Sequence, residues 1–211
     1  MSFRYEAPVS VADAVRLLDA DPGARPFAGG TDILVQLKNG RTAPSALVDL
    51  KRITALTDIV LDGQGLRLGA AAAAAELCDR EDIAALWPGL IEAVGLIGST
   101  QIQGRGSVGG NLCNASPAAD SVCALIVNQA ECTIVGPSGQ RILPVEQFVL
   151  GPGKTALGRG ELLVSLWFPR PAARTADAYL RLIPRTEMDI AVAGAAVQMP
   201  VGSTVSRTAA P

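Results

Sequence analysis

Apolar and polar residues recur along this chain with two different periods, and the switches between them mark out its elements. Residues 9–20, VSVADAVRLLDA, carry apolar side chains at 11, 14, 15 and 18, the spacing of one face of an amphipathic helix. Ser10 stands where an N-cap belongs, and Asp21-Pro22-Gly23 closes the segment. Residues 25–28 read as a short extended stretch. After Gly29-Gly30-Thr31-Asp32, the run ILVQLKNG predicts a short helix ending at Gly40, and 46–50 predicts another strand. Residues 1–53 thus alternate β and α.

A second unit opens with DIVLDGQGLRLGA, two alternating strands around Asp62-Gly63-Gln64-Gly65, a hairpin signal. An alanine-rich segment predicts a helix over 73–86. Pro88 then opens PGLIEAVGLIGS, whose Leu90, Ile91, Val94 and Ile97 share one helical face. Ser116-Pro117 predicts a new helix start, with proline in the first turn where its missing N–H costs little, and that helix runs to about Asn128. ECTIVG and QRILPV read as strands flanking a Pro-Ser-Gly turn, and ELLVSLWFP as a further strand. Residues 169–177, PRPAARTAD, read as a linker. AYLRLIPR and DIAVAGAAVQM predict two more strands, and the tail VGSTVSRTAAP is small and polar. Two strands are not a stable domain, so these belong either to a module that is incomplete here or to a sheet elsewhere.

Composition narrows the classes. A fold of 211 residues buries roughly 70% of its unfolded surface and needs no disulfide staples. Hydrophobic residues make up 49% and charged ones 18%, which suits a generous core. No run approaches the ~18 apolar residues of a membrane helix, and MSFRYEAPVS lacks a signal peptide's apolar core, so the cytoplasm is the expected location. The 18 basic and 20 acidic residues are interspersed and aromatics are only 4%, which argues against a nucleic-acid partner. Cys78, Cys113, Cys123 and Cys132 lie apart without a C-x-x-C pair, so buried free thiols are expected and no metal site. Histidine is absent. That removes imidazole relays, His-based triads, His metal ligands and histidyl-linked flavin; any chemistry here is expected to come from a cofactor, with no catalytic side chain.

The chemistry concentrates in glycines. Gly104-Arg105-Gly106-Ser107-Val108-Gly109 spells G-x-G-x-x-G, but a Rossmann site needs a strand before the glycines, a helix starting inside them and an acid about 20 residues on. The segment before Gly104 has helical periodicity. The stretch NLCNASP is not expected to begin a helix, because Pro117 interrupts it, and Glu131 at a tolerable distance is cheap coincidence. More informative are two double-glycine loops, AGGTD at 28–32 and VGGNL at 108–112, each followed by a small hydrogen-bonding side chain, Thr31 or Asn111. Glycine lets consecutive backbone N–H groups face an anion closely, and the first loop also feeds a helix N-terminus. Two such loops suit the two flanks of a pyrophosphate. Asp32 would repel a phosphate and is assigned to capping the following helix. On spacing alone, a paired cradle and two unrelated turns fit equally.

AGGTDILVQLK, IGSTQIQGRGSVGGNLCNASPAAD and PRTEMDIA, in this order, resemble the flavin-binding medium subunit of the molybdenum hydroxylases: xanthine dehydrogenases, aerobic carbon monoxide dehydrogenases and 4-hydroxybenzoyl-CoA reductase. The resemblance extends over about 1–198. It implies an α+β, FAD-binding PCMH-type (p-cresol methylhydroxylase) fold of two α/β subdomains, 1–53 and 54–170, followed by the truncated start of a C-terminal domain over 178–211. It implies that Pro26, Phe27, Ala28, Gly29, Gly30, Thr31, Asp32 and Ile33 form one pyrophosphate loop and Ser107, Val108, Gly109, Gly110 and Asn111 the other. Ile97 and Gly98 then lie near the flavin, Asp120 reaches a polar part of FAD, and Leu163 packs by the isoalloxazine. Arg181 stands where many members carry a lysine, keeping the charge but not the point contact.

The same resemblance implies an oxidoreductase subunit. Substrate is oxidised on a molybdopterin-binding large subunit, a small subunit with [2Fe–2S] clusters relays electrons to FAD, and an external acceptor (NAD⁺, a quinone or O₂) receives them. A reductase-type [4Fe–4S] insertion is not expected, for want of clustered cysteines. Family members continue further, so the strand at 191–198 is expected to leave an unpaired edge. The early stop keeps open an alternative, a non-catalytic scaffold subunit of the same complex. A free-standing flavin oxidase is disfavoured, since the chain has neither the length for a substrate cap nor a histidine for a flavin link.

Overall fold

The computed structural model describes residues 3–185 and 189–200. The polar tail and residues 186–188 of PRTEMDIA lie outside them.

The N-terminal unit runs β1 (Arg4–Glu6), α1 (Val11–Ala20), β2 (Ala24–Phe27), α2 (Ile33–Lys38), β3 (Ala46–Asp49). Its three strands form a parallel sheet in the order β1-β3-β2, with Phe27 opposite Asp49 at the carboxyl ends of β2 and β3. The central strand is buried at all four positions, the expectation for a parallel strand covered on both faces. Helix α1 begins as its pattern requires. The Ser10 hydroxyl accepts from the Asp13 N–H at 3.1 Å, and Ala14, Val15 and Leu18 are buried.

After the short α3 (Thr54–Thr57), β4 (Ile59–Leu61) and β5 (Gly65–Gly69) form the expected hairpin, whose turn is tied by the Asp62 carboxylate accepting from the N–H groups of Gln64 and Gly65. Then come α4 (Ala74–Cys78), α5 (Glu81–Ala84), α6 (Pro88–Gly95), α7 (Thr100–Gln103), α8 (Val108–Asn114) and α9 (Asp120–Val127). The strands β6 (Glu131–Gly136), β7 (Gly139–Pro144), β8 (Val149–Gly151), β9 (Lys154–Thr155) and β10 (Leu162–Pro169) follow. An antiparallel five-stranded sheet has the order β4-β5-β10-β6-β7, while β8 and β9 pair separately. Strand β10 lies at its centre and serves two cores. Leu162 and Val164 pack with α1 and the first sheet, whereas Leu163, Leu166 and Phe168 pack with Trp87, Leu90 and Leu125. That double duty explains why LLVSLWF is nearly continuously apolar, and a register shift between Leu163 and Ser165 accompanies the change of face.

Four local expectations are corrected. The alanine-rich helix over 73–86 is two short helices, because Arg80 is extended (φ −90°, ψ 93°) and forks onto Asp82. The residues NLCN, where no helix was expected, are helical, as part of a helix that begins before them at Val108: Ser107 caps α8 by accepting from Gly110 N–H at 3.0 Å. That helix ends at Ala115 in the left-handed region (φ 49°), so Pro117 follows it without interrupting it. Ser116-Pro117 itself forms a turn, with Ala119 N–H on Ser116 C=O, and α9 starts only at Asp120. The linker reaches only to Arg174, since a strand starts at Thr175 and buries Asp177.

That strand, β11 (Thr175–Leu182), pairs antiparallel with β12 (Ala193–Pro200) over eight residues, and among the described residues the pair joins no other sheet. Its inner face packs on α6 and α9, with Tyr179 in the main core. Its outer face leaves Leu180 78% and Leu182 64% exposed. The hairpin is anchored by Asp177, whose buried carboxylate accepts from the N–H groups of Gly89 (3.0 Å) and Leu90 (3.1 Å) and from Asn128 Nδ2 (2.7 Å).

Candidate functional site

At the carboxyl ends of β2 and β3, where a parallel sheet leaves a crevice, the β2–α2 loop meets the start of α8. Between them lies a cleft of about 320 Å³, within the range of small-molecule sites. The two double-glycine loops, 80 positions apart in sequence, therefore face the same space.

Close packing brings them together. A Cβ on Gly29 would fall onto the carbonyl of Arg105 and lie 2.9 Å from Gly106 N; one on Gly109 would lie 2.7 Å from Ala70 Cα. Gly30 has φ +80°, and a side chain there would meet the Phe27 ring at 2.6 Å. Gly110 differs: its Cβ would meet only Ser107 Oγ, at 3.0 Å, and otherwise project into free space. Among the described residues the N–H groups of Gly29, Gly30, Thr31, Asp32 and Ile33 take no acceptor from the chain. Five consecutive donors on the rim of a cleft are a ready anion cradle.

The side chains around the cradle are oriented from behind. Ser121, at the start of α9, donates to Asn111 Oδ1 at 2.7 Å, which leaves the amide's NH₂ as its unengaged end. Asp32 occupies the N-cap position of α2 but makes no capping bond, contrary to its expected role; its Oδ1 instead accepts from Asn114 Nδ2 at 3.4 Å. Desolvation pushes the Asp32 carboxyl above its ordinary value, which lowers the cost of an acid beside an anion.

Of the residues singled out in the sequence, Pro26, Ala28, Gly29, Gly30, Thr31, Asp32, Ile33, Ile97, Ser107, Gly109, Gly110, Asn111 and Leu163 all line this one cleft. Five do not. Phe27 lies beneath the first loop, Val108 is buried in the core, and Gly98 turns the chain (φ +63°) just beyond Ile97. Asp120 and Arg181 pair with each other at 3.2 Å, both nearly buried, and Tyr179 Oη donates to the same carboxylate. Arg181 also donates to the C=O of Leu96, the residue before Ile97. Burial, with the Asp120 charge adding to it, pushes the Tyr179 hydroxyl up to about 12.

The sequence reading missed Arg25, Gln36, Cys113, Asn114, Leu157 and Glu161, which also line the cleft. Of these, Asn114 sits inside the quoted NLCNASP stretch, one helical turn past Gly110, a spacing that would have flagged it once α8 was recognised as a helix. The four cysteines are free, but of the expected buried thiols only Cys132 is buried: Cys78 and Cys123 are half-buried and Cys113 is exposed on α8 beside the cleft. Among the described residues no group of His, Cys, Asp or Glu is arranged to hold a metal. Among the same residues no helix is long and apolar enough to cross a membrane.

A cleft between a parallel and an antiparallel sheet, lined by both glycine loops and rimmed by unengaged backbone donors, has the make-up of a cofactor-binding domain. Residues 1–171 match the family model described as the FAD binding domain in molybdopterin dehydrogenase. The chain is 34% identical over 194 residues to the xanthine dehydrogenase FAD-binding subunit of Escherichia coli O157:H7, covering 91% of this chain and 66% of that protein. It is 35% identical over 206 residues to the carbon monoxide dehydrogenase medium chain of Hydrogenophaga pseudoflava, covering 97% and 71%. The solved carbon monoxide dehydrogenase from Hydrogenophaga pseudoflava superposes with a TM-score of 0.90 at 35% identity, over 94% of this chain and 69% of that one. The chain spans about two thirds of the length of these relatives. It belongs to the family of FAD-binding domains of the molybdopterin dehydrogenases, and its cofactor is FAD.

Proposed function

We propose that this chain is the flavin-carrying electron-transfer part of a molybdenum-dependent hydroxylase or dehydrogenase complex, with FAD laid along the cleft. The observation that carries the reading is the convergence of the unengaged N–H groups of Gly29 to Ile33 and the α8 start on one cleft. The first loop, Pro26 to Ile33, and the second, Ser107 to Asn111, would hold the pyrophosphate. Ile97, Gly98 and Leu163 would flank the isoalloxazine, with Asp120 and Arg181 behind them. Residues 1–53 and 54–170 would then act as the two halves of the FAD site, with the hairpin region from 178 belonging to a third module.

FAD supplies the redox chemistry, taking electrons in and passing them on singly or in pairs. The chain's own residues bind and orient it; without histidine and with no imidazole relay, their contribution is geometric and electrostatic. The family's name and those of the relatives, a FAD-binding subunit and a medium chain, support a place in a multi-subunit complex with a molybdopterin-binding large subunit; the [2Fe–2S] small subunit follows from the resemblance read in the sequence. Electrons would enter from the clusters and leave to NAD⁺, a quinone or O₂.

The test is reconstitution. The purified protein incubated with FAD and passed over a desalting column should retain the visible flavin bands; a colourless protein defeats the reading. Gly110→Leu should separate site from fold, because its side chain would project into the cleft and meet little of the protein. We expect its melting temperature to stay within a few degrees of wild type, at about 1 kcal/mol or less, while FAD affinity drops at least tenfold. Reduction of the bound flavin on adding the partner subunits and their substrate would establish the electron route.

A further inference from the structure

Behind the first glycine loop lies a cluster that the FAD site does not itself include. Lys51 Nζ donates to Ala28 C=O at 3.0 Å and to Asp49 Oδ1 at 2.6 Å, and it sits 4.3 Å over the centre of the Phe27 ring. The Asp49 side chain is only 6% exposed. It also accepts from the Lys51 N–H at 3.0 Å and from the Tyr5 hydroxyl, and Tyr5 stacks edge-on against Phe27. Burial alone would raise the Asp49 carboxyl, but the Lys51 and Tyr5 hydrogen bonds outweigh it and hold the group below its ordinary value.

We infer that Lys51 is a positioning residue for the pyrophosphate cradle: by holding the Ala28 carbonyl on the far side of the loop, it aims the Gly29 N–H into the cleft. The inference rests on the FAD reading above. Its physical basis is the planar trans peptide, in which the C=O of Ala28 and the N–H of Gly29 point in opposite directions. Fixing one fixes the other. Two of the three donors of the ammonium group are engaged by Asp49 and Ala28, and its charge sits over the Phe27 face. Asp49 neutralises the charge at hydrogen-bond distance, so Lys51 acts through orientation and not through long-range attraction. The register of the parallel sheet makes the arrangement possible. Phe27 and Asp49 are opposite one another, so the residue two beyond Asp49 reaches the residue after Phe27.

Two readouts on the full chain test this: FAD affinity, followed by flavin fluorescence, and the amide NMR resonance of Gly29, followed on adding inorganic pyrophosphate. In wild type the Gly29 resonance should shift with pyrophosphate. Lys51→Met should weaken FAD at least tenfold and abolish that shift, and Lys51→Arg, which keeps a charged donor, should recover most of both. Should Lys51→Met not fold, Asp49→Asn carries the test, since it loosens Lys51 while keeping the side-chain shape, and it should weaken FAD and diminish the shift. Wild-type FAD affinity in the variants, or weakened affinity with the Gly29 shift intact, would overturn the inference. A wild-type protein that takes up no FAD would sink the reading of the site, and a Gly29 resonance still answering pyrophosphate would keep the two failures apart.

Discussion

Gly29→Ala is expected to abolish useful FAD binding, lowering affinity at least a hundredfold, or about 3 kcal/mol. One methyl group suffices because of where it would go. Its carbon would land on the backbone carbonyl of Arg105 and within 2.9 Å of Gly106 N, and neither is the movable end of a side chain. The first loop must then back away from the second, and the cleft between them changes width. Overpacking of this kind typically costs about 1–3 kcal/mol of stability, so the protein without flavin should also melt about 3–10 °C lower. The contrast with Gly110→Leu is the point of measuring both: at Gly110 the ligand meets the new side chain, whereas at Gly29 the protein meets itself. A FAD titration and a thermal melt of Gly29→Ala suffice, and unchanged values in both would show that the loops are not held in register by this contact.

The second large effect is expected far from the cleft. Asp177→Ala should destabilise the protein by about 3 kcal/mol, lowering its melting temperature by about 10 °C. Three donors converge on this carboxylate: two N–H groups at the start of α6, where Pro88 occupies the first helical position, and the amide of Asn128. Truncation strands all three in a buried place, and the start of α6 loses the negative group that complements its dipole. Strand β11 can approach this closely because Gly89 has no side chain; a Cβ there would sit 2.6 Å from Ala178 N. Asp177→Asn keeps one carbonyl acceptor and should lose about half as much. Limited proteolysis around 171–174 should quicken in Asp177→Ala as the hairpin detaches, and an unchanged melt and digestion pattern would show that the hairpin is held by its apolar inner face instead.

These two sites show unequally in the chain. Gly29 stands in a loop whose glycines announce backbone chemistry. Asp177 stands in a proline- and alanine-rich stretch that reads as a linker, and nothing near it reveals that its partners are Gly89, Leu90 and Asn128. The same division runs through the fold. Helix α1, the β4–β5 hairpin and strands β6, β7 and β10 follow from periodicity and turn residues within a few positions of each other. The alanine-rich segment fails because intrinsic propensity favours one long helix, while burying Leu77 and Ile83 and pairing Arg80 with Asp82 break it in two. Helix α8 was obscured by a proline that lies beyond its end.

For the candidate site, residue types marked both glycine loops, because a backbone cradle needs glycines and glycines are visible one at a time, whereas Ile97 and Leu163 came only with the family resemblance. The amino-acid sequence by itself determined most of the segments that curl, extend or turn, and, in having no histidine, directed any chemistry to a cofactor. Only the tertiary structure decided that Gly29 meets Arg105, that Lys51 lies behind Ala28, that Ser121 sets Asn111 and that Asp120 is tied to Arg181. Each of these contacts joins different elements through the register of a sheet or the packing of a helix. Local interactions are encoded within a turn or two of chain, whereas such contacts exist only once burial of the two cores has brought distant segments together.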